Sequence, residues 1–174
     1  RGSDPDAALH YLARFLEAGD LVTPCRRLLC SASEDIGMAD SRALEIAVAA
    51  YQACHFNGMP ECDVNLAHAV IYLSVAPKSN TAMGAYLAAK EDAMKMLAEP
   101  VPLVIRNAPT KLMKELHYGE HYQYAHDFED KITAMQCLPD ALVDRKYYQP
   151  TEQGSEAKVK RRVAEIEAWR KSHR

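Results

Sequence analysis

Residues 4–19 read DPDAALHYLARFLEAG and carry the start, the apolar face and the end of one short amphipathic helix. Asp4 is a capping residue, and Pro5 suits the first helical position because an N–H group there has no partner within the helix. Gly19 favours the backbone that ends many helices. The apolar residues between these signals recur at helical spacing and predict one buried face. They are Ala8, Leu9, Leu12, Phe15 and Leu16.

The same signals recur along the first half of the chain. Further helices are predicted from Thr23 to Gly37, from Asp40 to Asn57, from Pro60 to the residue before Pro77, and from Ser79 or Asn80 onward. No segment of comparable length alternates with a period of two, so the fold predicted is all-α, a helical array. The residues expected on the apolar faces are Leu28, Leu29, Ala32 and Ile36, then Leu44, Ala47, Val48 and Tyr51, then Leu66, Ala69, Val70 and Leu73, then Met83, Tyr86, Leu87 and Met94 with Lys90.

Residues 99–150 lack this periodicity. Residues 99–109 contain three prolines and are predicted to be extended, and Thr110 is expected to cap a short helix that runs to Leu116. Residues 118–150 contain five tyrosines, which predicts an ordered, aromatic-rich wrap over about 99–150, since disordered chains are poor in aromatic residues. Thr151 is expected to open a last helix. Its apolar stripe consists of Val159, Val163, Ile166 and Trp169.

Composition excludes several classes of protein. The chain has 174 residues, a net charge of −3, 48% hydrophobic and 26% charged residues, as in ordinary globular domains. No run approaches the roughly 18 apolar residues of a membrane helix, and no signal peptide is evident, so a cytoplasmic protein without membrane partners is expected. The five cysteines lack the Cys-x-x-Cys spacing of zinc and redox sites. We expect Cys25, Cys30, Cys54, Cys62 and Cys137 to be reduced thiols that mostly fill the core.

The charge is unevenly distributed. Residues 156–174 contain seven basic and three acidic residues, a net charge of +4, so the rest of the chain carries −7. Basic residues on a helix can neutralise DNA phosphates, and a solvated terminal helix is the alternative interpretation. The candidate DNA contacts are Lys158, Lys160, Arg161 and Arg162.

Few residues in the sequence suggest a catalytic, metal or binding site. The chain has no Gly-x-x-x-x-Gly-Lys-Ser/Thr loop and no other common catalytic motif, so no cofactor and no catalytic residue is expected in it. A metal site at His117, His121, His126 and Asp127 is a weak alternative, because Gly119 interrupts the helix that the first two histidines would share. Two polar clusters remain as candidate interface or partner contacts. They are Ser33, Glu34 and Asp35, and Arg106, Asn107, Thr110, Lys111 and Lys114.

Several separated strings, taken together and in order, resemble one family. They are RGSDPDAAL (1–9) with YLAR (11–14), RRL (26–28) with ASEDIG (32–37) and AD (39–40), AVAA (47–50), GMPE (58–61), APKSN (76–80), RNAPTKLMKEL (106–116) with YG (118–119), LPD (138–140) and YY (147–148). The resemblance is to the C-terminal region of the replication-associated recombination protein A (MgsA) family of AAA+ ATPases, which is related to Werner helicase-interacting protein.

The resemblance implies a function that the residue patterns do not. It implies that residues 1–19 are the tail of the lid-side helical domain of an AAA+ module, and that residues 20–174 are an oligomerisation domain similar to those of clamp-loader subunits. A tetramer is expected, with DNA and single-stranded-DNA-binding protein as partners at stalled forks, and nucleoid association if the source is bacterial. ATP and Mg²⁺ would bind in the preceding ATPase module.

One turn departs from the family pattern. The family commonly reads GYGKGYKY where residues 117–124 of this chain read HYGEHYQY. Histidines replace two glycines, and Glu120 and Gln123 replace two basic residues. The sequence therefore predicts a turn that is less suited to contact an anion through positions 120 and 123.

Overall fold

All the regular secondary structure is helical. The computed structural model describes residues 2–173, and within them there is no strand, which confirms the all-α prediction. Arg1, the first residue of the family-like N-terminal string, and Arg174, one of the basic residues counted in the tail, lie outside the described residues. The α-helices are α1 (Pro5–Glu17), α2 (Val22–Ser31), α3 (Arg42–Asn57), α4 (Asp63–Val75), α5 (Thr81–Lys95), α6 (Lys111–Glu115) and α7 (Glu156–Ser172).

The chain forms two compact units. The first contains the residues up to Leu87 together with Tyr148–Lys160, and α4 packs there against α1, α2 and α3. The face predicted for α4 is confirmed, because all four of its members are buried. One core cluster joins Leu12 and Cys25 to Leu66 and Val70, and a second joins Ile36 to Leu73. The predicted start of α1 is also confirmed, since Asp4 Oδ1 accepts a hydrogen bond from the N–H group of Ala7 at 2.9 Å.

The buried face of α3 differs from the prediction. Ala47 is buried as expected, but Leu44, Val48 and Tyr51 are 43%, 36% and 51% exposed. A second stripe, of small residues at helical spacing, is buried instead, because short side chains let α3 approach its neighbours closely. This buried stripe consists of Ala43, Ala47, Ala50 and Cys54.

The prediction that the apolar side of α5 is buried is also wrong. Tyr86, Leu87 and Met94 are at least half exposed, whereas Asp92 is buried. Asp92 lies in the second unit, where its carboxylate accepts hydrogen bonds from Arg145 Nη2 at 2.8 Å and from the Tyr147 hydroxyl at 3.0 Å, and forms an ion pair with Arg145 Nε at 2.8 Å. The burial of this side of the helix is therefore determined by a buried ion pair that local periodicity does not reveal.

Two helices begin at other residues than predicted. α2 begins at Val22 and is preceded by a turn in which Asp20, rather than Thr23, accepts a hydrogen bond, from the N–H group of Thr23 at 2.9 Å. Its last turn widens into a π-helical turn at Ala32–Ile36 and a 3-10 turn at Gly37–Ala39. α4 begins at Asp63, three residues after Pro60.

The last helix begins at Glu156 rather than at Thr151, because residues 151–155 are held against the turn before α3. Gly154 has a positive φ of 53°, and a Cβ atom there would collide with the carbonyl oxygen of Ala39. The N–H group of Ser155 donates to the same oxygen at 2.8 Å, and its hydroxyl donates at 2.9 Å. Because of this close packing at Gly154, the helix begins only after Ser155.

The second unit contains Ala88–Tyr147 and the residues from Arg161 onward, and much of it is irregular. The stretch predicted to be extended is interrupted by a 3-10 turn at Leu103–Ile105. Polar contacts connect the irregular segment to α7, since Trp169 Nε1 donates to Asp130 at 2.7 Å and Arg170 donates to the carbonyl of Thr133 at 3.1 Å. The aromatic-rich wrap stays a prediction.

Three of the five thiols lie in the core, as expected for most of them. Cys25, Cys54 and Cys62 are buried, and Cys30 and Cys137 are exposed. Burial raises the pKa of the Cys54 thiol to about 12, with a further contribution from its contact with Cys62. Within residues 2–173, no helix combines the length and the apolar character needed to cross a bilayer.

Candidate functional site

A polar cavity of about 630 Å³ opens in the second unit between the segment at 105–108, α6 and the turn that follows it. We call it the 105–122 cavity. It contains two cationic side chains and two tyrosines. Its lining consists of Ile105, Arg106, Asn107, Ala108, Lys114, Tyr118, Gly119 and Tyr122.

Arg106 is fixed at the edge of this cavity. Its Nε atom donates to the carbonyl oxygen of Val101 at 2.6 Å, and its guanidinium carbon lies 5.0 Å from the centre of the Tyr118 ring. Gly119, with a φ of 72°, donates its N–H to the carbonyl of Leu103 at 2.8 Å. A Cβ atom at Gly119 would lie 3.1 Å from the Arg106 carbonyl, so the close approach of these two segments favours glycine.

The short helix α6 presents only one of its lysines to the cavity. Thr110 Oγ1 accepts from the N–H group of Met113 at 3.3 Å, so Thr110 caps α6 as predicted. The Lys111 side chain is 92% exposed and lies 3.8 Å from Glu115. Lys114 lines the cavity and forms no ion pair with any residue between 2 and 173. The structure thus brings Arg106, Asn107 and Lys114 together and leaves Thr110 and Lys111 outside.

The other predicted cluster lies in the first unit, in the π-helical turn after α2. Ser33 is exposed, and Glu34 and Asp35 are half-buried. Asp35 accepts a hydrogen bond from the Ser31 hydroxyl at 2.8 Å, and it lines a groove of about 250 Å³ together with Tyr11, Phe15 and Arg27.

The four candidate DNA contacts on α7 are all exposed, but two of them are paired with acidic side chains. Lys160 Nζ lies 2.7 Å from Glu152, and Arg162 lies 3.1 Å from Glu165. Lys158 and Arg161 have no ion pair within the described part of the chain. Only these two therefore present unpaired cationic groups.

The histidines of the 117–121 turn have an unusual backbone. His117 and His121 have positive φ angles of 61° and 62°, and Gly119 lies between them at 72°. These are the three positions at which the resembled family pattern has glycine. The His117 side chain lies 2.7 Å from Glu120. In the described chain, no three His, Cys, Asp or Glu residues form a group that could hold a metal ion, which leaves the weak metal alternative without geometric support.

We expect His121→Gly to stabilise the second unit by roughly 1 kcal/mol, because a side chain disfavours the left-handed backbone by about that amount. The free energy of unfolding in urea is read from the fluorescence of Trp169, the single tryptophan, which lies in the same unit. As a control, Ala168→Gly in α7 should lower stability by about 0.5–1 kcal/mol, since glycine weakens a regular helix. If both substitutions destabilise the chain, the claim that the backbone at His121 is strained is contradicted.

Sequence reasoning missed two features, one in each unit. Tyr118 and Tyr122 were not singled out as partners of Arg106 and Lys114, although they follow α6 at a spacing of four residues. The exposed stripe of α3, Leu44, Val48 and Tyr51, was assigned to the core. The competing small-residue stripe was a signal in the sequence that could have corrected this assignment.

Comparison with known proteins identifies the class of this domain. A family model described as "MgsA AAA+ ATPase C terminal" matches residues 2–167. The chain therefore belongs to the family of C-terminal domains of MgsA AAA+ ATPases, which confirms the resemblance seen in the sequence. The fragment is a helical domain without the ATPase module.

Individual relatives agree with this family. The chain is 43% identical over 176 residues to Replication-associated recombination protein A of Coxiella burnetii, covering 100% of this chain and 40% of that protein. It is 46% identical over 174 residues to the protein of the same name from Haemophilus influenzae, covering 99% and 39%. ATPase WRNIP1 of Dictyostelium discoideum is 44% identical over 151 residues, covering 86% and 17%. The chain spans about 40% of the length of the first two relatives.

Proposed function

We propose that this chain is a non-catalytic oligomerisation and partner-docking domain of an AAA+ ATPase that acts in DNA replication, recombination and repair at stalled forks. Its assembly state is a tetramer. Residues 1–19 form the tail of the lid-side helical domain, and residues 20–174 form the oligomerisation domain. ATP and Mg²⁺ bind in the ATPase module of the longer protein, and the site of action is the cytoplasm, at the nucleoid in a bacterium.

The observation that carries this proposal is the exposure of large apolar side chains on two regular helices. The α3 stripe, which we define as Leu44, Val48 and Tyr51, is matched by an α4 stripe of Val64, Ile71 and Val75, of which 70%, 43% and 64% are exposed. Spacings of three, four and seven residues place the members of each stripe on one side of their helix. Contiguous apolar surface of this kind marks a protein interface, and a closed symmetric assembly buries it repeatedly.

Partner docking is supported by two separate features. The groove beside Asp35 combines aromatic side chains with Arg27, and the 105–122 cavity combines Arg106 with Lys114. The groove beside Asp35 is largely apolar with a few placed polar groups, as is typical of binding sites, and the cations of the 105–122 cavity can bind anionic groups of a partner. Ser33, Glu34, Asp35, Arg106, Asn107, Thr110, Lys111 and Lys114 are the proposed interface or partner contacts, and single-stranded-DNA-binding protein is the proposed partner.

The alternative function is DNA binding through the basic helix at 156–174. The exposure of Lys158 and Arg161 without ion pairs favours it. The pairing of Lys160 and Arg162 with glutamates reduces the charge that this helix offers to phosphates.

A fusion to a monomeric fluorescent protein tests the oligomerisation proposal. An oligomerisation domain brings any protein fused to it into the same assembly. The fusion should therefore elute from size exclusion, and scatter light, with the mass of four copies. The fluorescent protein alone is the control. A fusion that remains monomeric at micromolar concentration would contradict the proposal.

A further inference from the structure

We propose that the 105–122 cavity binds one nucleotide unit of a single-stranded nucleic acid, with its phosphate between Arg106 and Lys114 and its base against Tyr122. This site is distinct from the basic helix at 156–174, and it does not depend on the proposed assembly. The ligand class follows from the combination of cations and aromatic rings around one open cavity.

The two cations are available to an anion. Arg106 uses Nε for the Val101 carbonyl, and its terminal N–H groups have no carboxylate partner among residues 2–173. Lys114 has no ion pair in the same described range. No acidic side chain lines the cavity, and the Asn107 side chain adds a further donor. A guanidinium fork and an ammonium group together match the oxygens of a phosphate.

The acidic residues near the cavity are already engaged. Glu120 lies 2.7 Å from His117, and Glu115 lies 3.8 Å from Lys111. Neither glutamate contributes to the lining. The replacement of basic residues at positions 120 and 123 therefore leaves the cations of the cavity in place, and the anion contact is carried by Arg106 and Lys114.

The two tyrosines have different roles. The guanidinium of Arg106 lies over the ring of Tyr118, which orients the arginine through a cation–π contact. Tyr122 is 56% exposed and has no ring partner within the described residues. Its free face offers a stacking surface beside the cations. Among the described residues, neither Lys158 nor Arg161 forms a cation–π contact with a tyrosine, whereas Arg106 does, and this distinguishes the two candidate sites.

A cavity of about 630 Å³ exceeds what a single phosphate group requires and falls within the range of ordinary ligand sites. Tyr122 lines the same cavity as the two cations, so a phosphate and an attached base can be held together. A free nucleoside monophosphate and a strand share this chemistry. The experiment must therefore separate an isolated nucleotide from a polymer.

Fluorescence anisotropy with a short labelled oligothymidylate, measured with the 174-residue chain over a series of salt concentrations, tests the site. Arg106→Ala and Lys114→Ala should each weaken binding by about tenfold, and the two substitutions together should reduce the slope of log affinity against log salt by about 0.7, the value for one single-strand phosphate contact. Tyr122→Leu should weaken binding by about tenfold and leave the slope unchanged, because it removes stacking rather than charge.

Lys90→Ala is the matched control, since Lys90 is an exposed lysine of the second unit that does not line the cavity. It should leave affinity within about twofold. Arg106→Lys, which keeps the charge, should retain the salt slope of the unmodified chain and recover part of its affinity. Thymidine monophosphate and inorganic phosphate should compete only at far higher concentration than unlabelled oligothymidylate if a strand is the ligand.

Three results would overturn the proposal. They are an absence of oligonucleotide binding at low salt, equal losses for Lys90→Ala and Lys114→Ala, and losses confined to Lys158→Ala and Arg161→Ala on α7. If thymidine monophosphate competes as strongly as the oligonucleotide, the ligand of the cavity is a free nucleotide and not a strand. Light scattering on the same variants reports assembly separately, so failure of this site and failure of the tetramer are distinguishable.

Discussion

A chain that carries Val48→Glu and Ile71→Glu is expected to be a monomer. Each substitution places a carboxylate in the apolar stripe of α3 or α4, and an unpaired charge buried at an interface costs several kcal/mol. Since about 1.4 kcal/mol corresponds to a tenfold change in affinity, the dissociation constant should rise by at least about a thousandfold. Light scattering at micromolar concentration measures the mass directly.

The positions chosen make misfolding a poor explanation for that result. Val48 and Ile71 are 36% and 43% exposed in the single chain, so glutamate can reach solvent there without entering the core. Circular dichroism should show unchanged helix content. Leu97→Glu and Leu112→Glu serve as controls, because these leucines are 86% and 63% exposed and lie outside both stripes. If the stripe variants keep the mass of the unmodified chain, the stripes are not the interface.

The second large effect is expected from Glu156→Gln, which should lower the free energy of unfolding by roughly 3 kcal/mol at neutral pH, as for loss of a buried charge-assisted network. Glu156 is fully buried at the start of α7. It accepts hydrogen bonds from the hydroxyls of Thr151 at 2.6 Å and Tyr148 at 2.9 Å, and also from Thr81. Urea unfolding at a fixed protein concentration measures the change, since any assembly makes stability depend on concentration.

The pH dependence of this variant is a sharper test. Burial raises the pKa of the Glu156 carboxyl, but the hydroxyls of Ser79, Thr151, Thr81 and Tyr148 stabilise the anion more and lower its pKa to about 2. Its ordinary value is 4.5, so the contribution to stability is complete above that pH and is lost as the pH falls toward 2. The difference in stability between the chain and its Glu156→Gln variant should therefore shrink over this interval.

The matched control for Glu156 is Glu152→Gln. Glu152 precedes the same helix and pairs with Lys160 at 2.7 Å, but its side chain is 68% exposed. A surface pair of this kind contributes less than about 1 kcal/mol at neutral pH, so Glu152→Gln should destabilise the chain far less than Glu156→Gln. Similar losses for the two variants would show that burial of Glu156 does not determine its effect.

The helical array and the buried face of α4 could be predicted from the sequence. The four predicted core residues of α4 are all buried, whereas Val64, Ile71 and Val75 form a second, exposed apolar stripe on the same helix. α3 has two stripes at the same spacing, and hydrophobicity favours Leu44, Val48 and Tyr51 over the smaller residues that the structure buries. Periodicity indicates that a helix has an apolar face, but close packing determines which of two faces is buried in the single chain.

Long-range polar contacts could not be predicted from the sequence. Asp92 and Arg145 are separated by 53 positions, and Thr81 and Glu156 by 75, so no local pattern indicates that they meet. The lining of the 105–122 cavity could be predicted from the sequence only in part. Arg106, Asn107 and Lys114 could be selected as a polar cluster, whereas the contribution of Tyr118 depends on the close approach at Gly119.

The mass of the unmodified 174-residue chain in solution tests the central claim most directly. Light scattering after size exclusion, at micromolar concentration, should give four times the 19.4 kDa mass of one chain. The proposed assembly would bury the exposed stripes of α3 and α4. A mass of 19.4 kDa that stays constant as the concentration is raised would contradict the proposal that this domain drives assembly.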